Sequence, residues 1–321
     1  MKRVVVVLCL ACAAARPGEV LRIESSVEAM GSTYSVVAYG EDGLRLESAV
    51  DQAFEEVRRL DALLSNYKPH SEWSLLNREA ARRPVRVSAE LYRLLAACVD
   101  YSRRSEGAFD ITVGPLMKTW GFYKGAGRLP QAVEIRDALA KVGYRDLDLD
   151  PAESAVRFRN AGMELDPGGI GKGYAVDRMV EVLRKNAIRS AMVSAGGSSI
   201  YGLGTPPEEA GWKVQLRHPK DPGRTVGEVS LRDESMSTSG SYEKFFVAGG
   251  RVYSHIFDPR TGYPAAGTLA VSVIAPRAID SEAWTKPFFI NGARWATGNR
   301  PRGYRVFLCE DKAEPTCAWL P

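Results

Sequence analysis

The sequence predicts an α+β fold, a single domain with two lobes, because helical and strand-like segments are mixed without a regular βαβ alternation. Apolar residues at helical spacing predict helices at about 46–64 and 88–105, and a glycine-rich segment at 166–173 opens a third helix. Short strands dominate from Trp212 onward. With 45% hydrophobic and 26% charged residues among 321, the chain has ample material for a core.

The individual elements follow from local periodicity and from turn residues. In the N-terminal half we predict, in order, a strand at 33–39, a helix at 46–64, a loop at 65–77, a helix at 88–105, a segment interrupted by Gly and Pro at 110–122 and a hairpin at 147–158. In the C-terminal half we predict strands at 191–194, 212–216, 227–231, 252–257, 269–275 and 304–309, with a helix at about 281–291.

The N-terminus has the pattern of a secretory signal. A basic pair precedes an apolar run from Val4 to Ala15, which is too short to span a bilayer and ends in small residues. We therefore expect residues 1–15 to be a signal peptide and residues 16–321 to be the functional domain of an exported protein, periplasmic or associated with the cell envelope. A lipid anchor at Cys12 is the alternative to simple cleavage near the end of the run.

Charge and cysteine content narrow the class of function. The 43 Lys and Arg residues against 39 Asp and Glu residues give a net charge of +4, which suits a small anionic substrate and is far short of a nucleic-acid footprint. Cys309 and Cys317 flank a polar turn between two apolar runs. This pattern predicts a terminal hairpin, across which an oxidising compartment would allow a disulfide.

Residues 166–173, Asp-Pro-Gly-Gly-Ile-Gly-Lys-Gly, carry the strongest local indication of a phosphate site. Glycines let backbone N–H groups approach a phosphate, and the N-terminus of a following helix adds positive potential. Lys172 would supply a point charge. The segment does not match a P-loop, because Asp166 and Gly173 stand where the P-loop needs Gly and Ser/Thr. It does not match a dinucleotide fingerprint either, because Tyr174 stands where a fingerprint starting at Gly169 needs its third Gly. A tight strand-to-helix turn is the alternative explanation.

Three further segments carry weaker indications. His255, one of three histidines in the chain, lies on a predicted strand before the turn Asp-Pro-Arg-Thr-Gly at 258–262, which makes it a candidate for proton transfer or a structural residue. Residues 107–115 resemble a packed turn, and the small hydroxyl residues around a glycine at 238–242 are equally compatible with a loop.

Taken together and in order, these segments resemble the FAD:protein FMN transferases (ApbE-type). The resemblance runs from about residue 25 to 310 and rests on six sets of residues: Met30 to Thr33; Ser65 to Tyr67 with Ser71-Glu72 and Leu76-Asn77; Gly107 to Pro115 with Trp120 to Phe122; Asp166 to Asp177; Ser239-Gly240; and His255 to Gly262. It implies an ApbE-like, T-fold-related architecture. It also implies an activity that splits FAD, joins FMN through a phosphoester to a threonine of an exported flavoprotein, and releases AMP.

The resemblance also assigns individual residues. The positions that match FAD contacts are Met30, Tyr67, Ala108, Phe109, Asp110, Asp166, Lys172 and Ile256. His255 matches the catalytic histidine, and Gly169 matches a position whose carbonyl helps to hold Mg²⁺. Since the reaction is an in-line displacement at phosphorus, we expect positioning and charge stabilisation to dominate catalysis.

The chain departs from the family pattern at the expected metal site. Family members carry Asp and, four residues later, Thr, whereas ungapped counting from His255 places Glu282 and Lys286 there, with Thr285 as a further oxygen donor. A lysine ammonium only donates and repels a cation, so Mg²⁺ binding depends on Gly169, Glu282 and Thr285. Two alternatives therefore stay open, a flavin-binding protein with little or no transferase activity and an FAD pyrophosphatase that uses water.

Overall fold

The computed structural model describes residues 20–123 and 125–321, so the predicted signal peptide and Cys12 lie outside the described residues. The helices are α1 (Gly43–Leu64), α2 (Glu72–Glu79), α3 (Ala89–Arg104), α4 (Gly114–Thr119), α5 (Ala132–Leu139), α6 (Gly171–Lys185) and α7 (Ala278–Asn299). The strands are β1 (Leu21–Ala29), β2 (Ser32–Gly40), β3 (Val85–Arg86), β4 (Leu147–Asp150), β5 (Ala155–Phe158), β6 (Ser190–Ala195), β7 (Ser199–Leu203), β8 (Trp212–His218), β9 (Asp221–Leu231), β10 (Glu234–Gly240), β11 (Phe245–Ala248), β12 (Arg251–Ser254), β13 (Thr268–Ala275), β14 (Arg305–Glu310) and β15 (Thr316–Trp319). Within the described ranges, no helix combines the length and apolarity needed to cross a membrane.

The chain divides into two compact units. The first unit comprises the residues up to Asp61, Gly171–Thr238 and Ser272–Glu282, and the second comprises Ala62–Ile170, Ser239–Val271 and Ala283–Pro321.

The first unit is an antiparallel sheet covered by a helix. Strands β1, β2, β6, β7 and β10 are neighbours in that order, and α6 packs on β6 and β7. Val36, Val193 and Tyr201 lie side by side across three of these strands and are almost fully buried. Burial of such β-branched and aromatic side chains holds the sheet against the helix.

The second unit combines helices with small sheets. Strands β3, β5 and β4 form one sheet, β11 and β12 form a hairpin, and β14 pairs with β15. Helices α4 and α5 pack together, and their apolar side chains join a cluster around Trp120, Phe122 and Phe257. Cys309 and Cys317 are directly opposed in the β14–β15 hairpin and form a disulfide, so the predicted terminal hairpin is confirmed.

Most predicted elements are confirmed, with shifted ends. The predicted helix at 88–105 is α3, where Ser88 caps the N-terminus by accepting a hydrogen bond from the Leu91 amide, and the predicted apolar face is buried. The loop predicted at 65–77 is wrong in its second half, because α2 begins at Glu72. Ser71 starts this helix by accepting from the Ser74 amide, and the buried Trp73 and Leu76 anchor it.

Candidate active site

Residues 166–173 form a short 3₁₀ turn followed directly by α6. Asp166 precedes the turn at Pro167–Gly169, and its Oδ1 accepts a hydrogen bond of 2.8 Å from the Gly168 amide. Helix α6 then begins at Gly171. The predicted glycine turn at a helix N-terminus is therefore confirmed, and the dipole of α6 favours an anion at this end of the helix.

In the second unit, Asp166 is held from both sides. Its Oδ2 accepts a 3.1 Å hydrogen bond from the Asn66 side-chain amide, while Oδ1 binds the Gly168 amide. Burial raises the pKa of Asp166, and the two hydrogen bonds and the Lys244 ammonium offset part of that rise. The carboxylate thus fixes the shape of the turn.

Tyr67 presents an exposed ring in the same unit. Its side chain is 56% exposed and stacks on Tyr123 with ring centroids 5.1 Å apart. The Tyr123 hydroxyl donates to the Asn66 carbonyl oxygen at 2.7 Å, which ties this aromatic pair to the residue that holds Asp166. An exposed ring that is backed by a stacked, half-buried partner is suited to stacking on a planar ring of a ligand.

The predicted contact residues Ala108, Phe109 and Asp110 lie in a buried loop. Asp110 accepts hydrogen bonds from the Thr112 amide and hydroxyl and from the Tyr144 amide, at 2.7–2.8 Å. Burial raises the pKa of Asp110, and these hydrogen bonds oppose the rise. The carboxylate organises the loop, which presents the edge of the Phe109 ring towards the Pro167–Gly169 turn.

Gly169 allows two side chains to approach the turn. Among the described residues, the atoms within 4 Å of an ideal Cβ on Gly169 are Phe109 Cε2 at 3.4 Å and Lys286 Cε at 3.5 Å. Lys286 therefore places its ammonium group, one bond beyond Cε, beside the turn. Thr285, the neighbouring residue in α7, is fully buried, and its Oγ1 accepts a 2.8 Å hydrogen bond from the Ser239 hydroxyl.

His255 follows the β11–β12 hairpin in the second unit. Its Nδ1 lies 3.1 Å from the Lys244 carbonyl oxygen, and its ring meets Phe122 edge-on with centroids 6.3 Å apart. Because a carbonyl oxygen only accepts, Nδ1 carries the hydrogen in this contact, and Nε2 is the basic nitrogen of the neutral ring. The next residue, Ile256, is buried at the base of the hairpin.

In the first unit, Lys172 and Glu282 flank the first turn of α6. The Lys172 ammonium hydrogen-bonds to the Ser198 hydroxyl. The Gly173 amide donates to Glu282 Oε2 at 2.5 Å, and Glu282 is 2% exposed. A Cβ on Gly173 would overlap the Ala278 carbonyl oxygen, so only glycine permits α6 to approach α7 this closely.

Met30 and Tyr34 form a second cluster in the first unit. Met30 and Gly31 have φ of 51° and 68° and form the two-residue turn between β1 and β2. The buried Tyr34 hydroxyl donates to Met30 Sδ at 3.4 Å. Burial and the nearby carboxylates of Glu282 and Asp61 raise the pKa of Tyr34 far above its usual value, so the phenol stays a donor.

The residues predicted to bind Mg²⁺ do not fit that ion well. Over the described ranges, no group of three or more His, Cys, Asp or Glu side chains is arranged to hold a metal. Glu282 Oε2 is engaged by the Gly173 amide, and the Lys286 ammonium lies beside Gly169. Mg²⁺ requires nearly octahedral oxygen coordination and is repelled by a neighbouring cation.

Residues 30–303 match the ApbE family. The chain belongs to this family. A relative from Klebsiella pneumoniae named FAD:protein FMN transferase is 32% identical, over 81% of this chain and 79% of its own length. A Treponema pallidum relative of the same name is 31% identical, over 90% of this chain and 85% of its own length.

Solved structures of ApbE proteins have the same fold. The Thermotoga maritima ApbE protein superposes with a TM-score of 0.84 at 28% identity, covering 92% of this chain and 96% of its own. The apo form of Pseudomonas stutzeri flavinyl transferase ApbE gives 0.83 at 27% identity, covering 94% and 95%. The predicted family and the predicted α+β, ApbE-like fold class are confirmed.

In this ApbE chain, several residues that contact the predicted site residues have no recognisable role in the sequence alone. Asn66, Tyr123 and Lys244 support Asp166 or His255, and Ser198 and Tyr34 accompany Lys172 and Glu282. Asn66 lies within one of the resembling segments, so its position was visible although its role was not. The others lie outside the resembling segments: Lys244 meets His255 across the β11–β12 hairpin, and Tyr123, Ser198 and Tyr34 meet residues that are distant in sequence.

Proposed function

We propose that this chain is an FAD:protein FMN transferase. The acceptor hydroxyl oxygen attacks the FMN phosphorus and forms a new P–O bond. The bond from that phosphorus to the bridging oxygen breaks, and AMP leaves with that oxygen. Membership of the ApbE family and the shared name of the relatives support this activity. The observation that carries it is the glycine turn leading into α6, with Lys172 in the first helical turn, which suits a pyrophosphate.

FAD would bind as the substrate, with its pyrophosphate at residues 168–173. The predicted pyrophosphate contact at residues 168–173 would rest mainly on the Lys172 ammonium and on the N-terminus of α6, since charge-assisted hydrogen bonds hold phosphate oxygens well. The Gly168 and Gly173 amides already donate to Asp166 and Glu282. Tyr67, with Tyr123 stacked behind it, offers an exposed ring for stacking on the flavin or the adenine. The other predicted FAD contacts remain predictions that rest on the resemblance to the family: Met30, Ala108, Phe109, Asp110, Asp166 and Ile256.

His255 is the proposed general base. Its contact with the Lys244 carbonyl places the hydrogen on Nδ1, which leaves Nε2 to accept the proton of the attacking threonine hydroxyl. The aromatic cluster behind it, through Phe122, limits rotation of the ring. Mg²⁺ would neutralise phosphate charge where it binds, but no step here depends on it because the residues at Gly169 do not fit the ion.

The proposed partner is an exported flavoprotein that carries an acceptor threonine. We further propose that residues 1–15 direct export to the periplasm or cell envelope, with a lipid anchor at Cys12 as the alternative. The Cys309–Cys317 disulfide supports an exported location, because such bonds persist in oxidising compartments.

The activity is tested by incubating the protein with FAD and a peptide that carries the acceptor threonine, with a Thr-to-Val peptide as the matched control. We expect AMP release and a covalent FMN adduct with the threonine peptide only. AMP and free FMN in equal amounts with both peptides would instead identify a pyrophosphatase. FAD binding without any AMP would identify a flavin-binding protein.

The role of His255 is tested by His255→Ala, with His70→Ala as the control because His70 lies exposed in a loop of the same unit. We expect His255→Ala to slow transfer by roughly 10²–10⁴-fold while the FAD dissociation constant changes little. Unchanged transfer would remove His255 from catalysis, and loss of the folded circular dichroism spectrum would show a structural role.

A further inference from the structure

Lys286 sits where a positive charge would act on an anion bound at the glycine turn. Its Cε lies 3.5 Å from the position of an ideal Cβ on Gly169, the last residue of the Pro167–Gly169 turn. Phe109 approaches the same point at 3.4 Å, so apolar ring atoms line the place where the lysine stem passes. A lysine commonly buries its methylene stem in this way and keeps its charge at the polar end.

The backbone of Lys286 is fixed by the buried residues around it in α7. Trp284, Thr285, Phe288 and Phe289 are 0–2% exposed, and Thr285 is hydrogen-bonded to Ser239. Rotating this part of the helix would expose large aromatic side chains to water, which is unfavourable. The lysine therefore approaches Gly169 because the helix is packed in a single orientation.

A divalent ion at Gly169 would lie close to the Lys286 ammonium, and the two cations need different partners. Mg²⁺ needs oxygen ligands, whereas an ammonium offers three donors and no acceptor. Like charges repel strongly where water is partly excluded, so an ion close to Gly169 would be weakened by the lysine. A phosphate oxygen, in contrast, would gain a charge-assisted hydrogen bond from the ammonium.

We propose that the Lys286 ammonium replaces a divalent metal ion as the positive charge that faces the FAD pyrophosphate at the Gly169 turn. This inference rests on the proposed function, since it assumes that FAD is the ligand. It makes FAD binding by this chain independent of Mg²⁺. It also assigns to Lys286 a role in binding that is distinct from that of Lys172 in α6.

The first test measures the FAD dissociation constant by flavin fluorescence, in EDTA and in millimolar Mg²⁺. For the wild type we expect values that agree within about twofold. Lys286→Thr should bind FAD about tenfold or more weakly in EDTA, because a charge-assisted contact is lost, and should recover part of that loss in Mg²⁺. Lys286→Arg should stay insensitive to EDTA, because it retains the charge.

A second readout follows the metal itself, with Mn²⁺ as the probe and electron paramagnetic resonance as the measurement. Lys286→Thr should bind Mn²⁺ in the presence of FAD at concentrations where the wild type binds none. Lys286→Met, which keeps the apolar stem, gives a variant with minimal change in packing should the threonine variant fail to fold. Lys141→Thr removes an exposed lysine of the same unit and should behave as the wild type.

Different failures have different meanings. If the wild type binds FAD and needs Mg²⁺ as strictly as Lys286→Thr, or if Lys286→Thr and Lys286→Met bind FAD as tightly as the wild type in EDTA, the inference about Lys286 is wrong and the proposed function stands. Mn²⁺ binding to the wild type with equal affinity would overturn it in the same way. If the wild type binds no FAD under either condition, the proposed function fails, and this inference fails with it.

Discussion

Each unit contains a buried cluster of a different kind, in addition to the apolar side chains that both units bury. In the first unit, buried hydroxyl groups surround the start of α7, whereas in the second unit aromatic rings surround the segment before His255. Hydrogen bonds have preferred directions and fail completely when one partner is lost. Aromatic contacts depend mainly on buried area and tolerate small shifts. The hydroxyl cluster therefore fixes the orientation of the groups it contains, whereas the aromatic cluster contributes mainly through buried area.

The hydroxyl network of the first unit is centred on Ser281. Its Oγ lies 3.0 Å from Ser235 Oγ and 2.8 Å from Ser237 Oγ. Ser235 continues to the Ala275 carbonyl oxygen, and Ser237 continues to Ser199 Oγ. Because Ser281 directly precedes Glu282, this network sets the orientation in which Glu282 meets the Gly173 amide.

The aromatic cluster of the second unit is centred on Trp120. Its ring lies 5.6–6.4 Å from the rings of Phe246, Tyr253, Phe257 and Tyr263, and its Nε1 donates to the Gly262 carbonyl oxygen at 2.9 Å. Most of these rings come from the hairpin and turn that flank His255. The cluster thus holds the segment of the candidate base by many weak contacts.

The largest expected effect on stability comes from removing the Trp120 ring at the centre of the aromatic cluster. We expect Trp120→Ala to lower the free energy of unfolding by about 3–5 kcal/mol, because a large cavity replaces a fully buried ring. Trp120→Phe, which retains a ring and loses the hydrogen bond to Gly262, should lose less. Urea unfolding followed by near-ultraviolet circular dichroism measures both. A loss below about 1 kcal/mol for Trp120→Ala would show that the cluster is not a source of stability.

In the first unit, the buried carboxylate of Asp177 should make the free energy of unfolding depend on pH. Its carboxylate accepts hydrogen bonds from the Ala278 and Ile279 amides at the start of α7, and burial raises its pKa from 3.8 to about 6. Between these values the folded state holds a proton that the unfolded state has released, so stability falls as pH rises through this window. The full difference corresponds to about 3 kcal/mol.

The measurement compares wild type with Asp177→Asn by urea unfolding at pH 4 and pH 7. The asparagine cannot titrate, so the wild type should lose about 1–3 kcal/mol relative to the variant over this range. A difference that does not depend on pH would mean that the two amides and the nearby Arg277 compensate fully for burial of the carboxylate.

Ser281→Ala, which removes the central hydroxyl of the network, should have the smallest effect on the free energy of unfolding. We expect it to cost about 1–2 kcal/mol, because the hydroxyls of Ser235 and Ser237 lose a partner inside the fold. The double variant with Ser237→Ala should cost less than the sum of the single variants, since both act in one network. Simple additivity in unfolding experiments would show that the serines act independently.

The sequence allowed correct prediction of the elements with strong local patterns. Helix α3 and the β14–β15 hairpin follow from apolar spacing and turn residues, and the glycine turn before α6 follows from its composition. Helix α2 was missed because it is short and starts with polar residues. It is stabilised by Ser71 capping and by burial of Trp73, and burial is not visible in a local pattern.

The family, the α+β class and the glycine turn before α6 could be predicted from the sequence, and so could the choice of His255 as a candidate base, since these depend on short-range order along the chain. Which groups lie together is visible only in the folded structure: Asn66 with Asp166, Tyr34 near Glu282, and Lys286 beside Gly169. Each pair joins residues far apart in sequence, and their contacts depend on how helices and loops pack. Packing is set by the volume and burial of the whole interior, which no local spacing records.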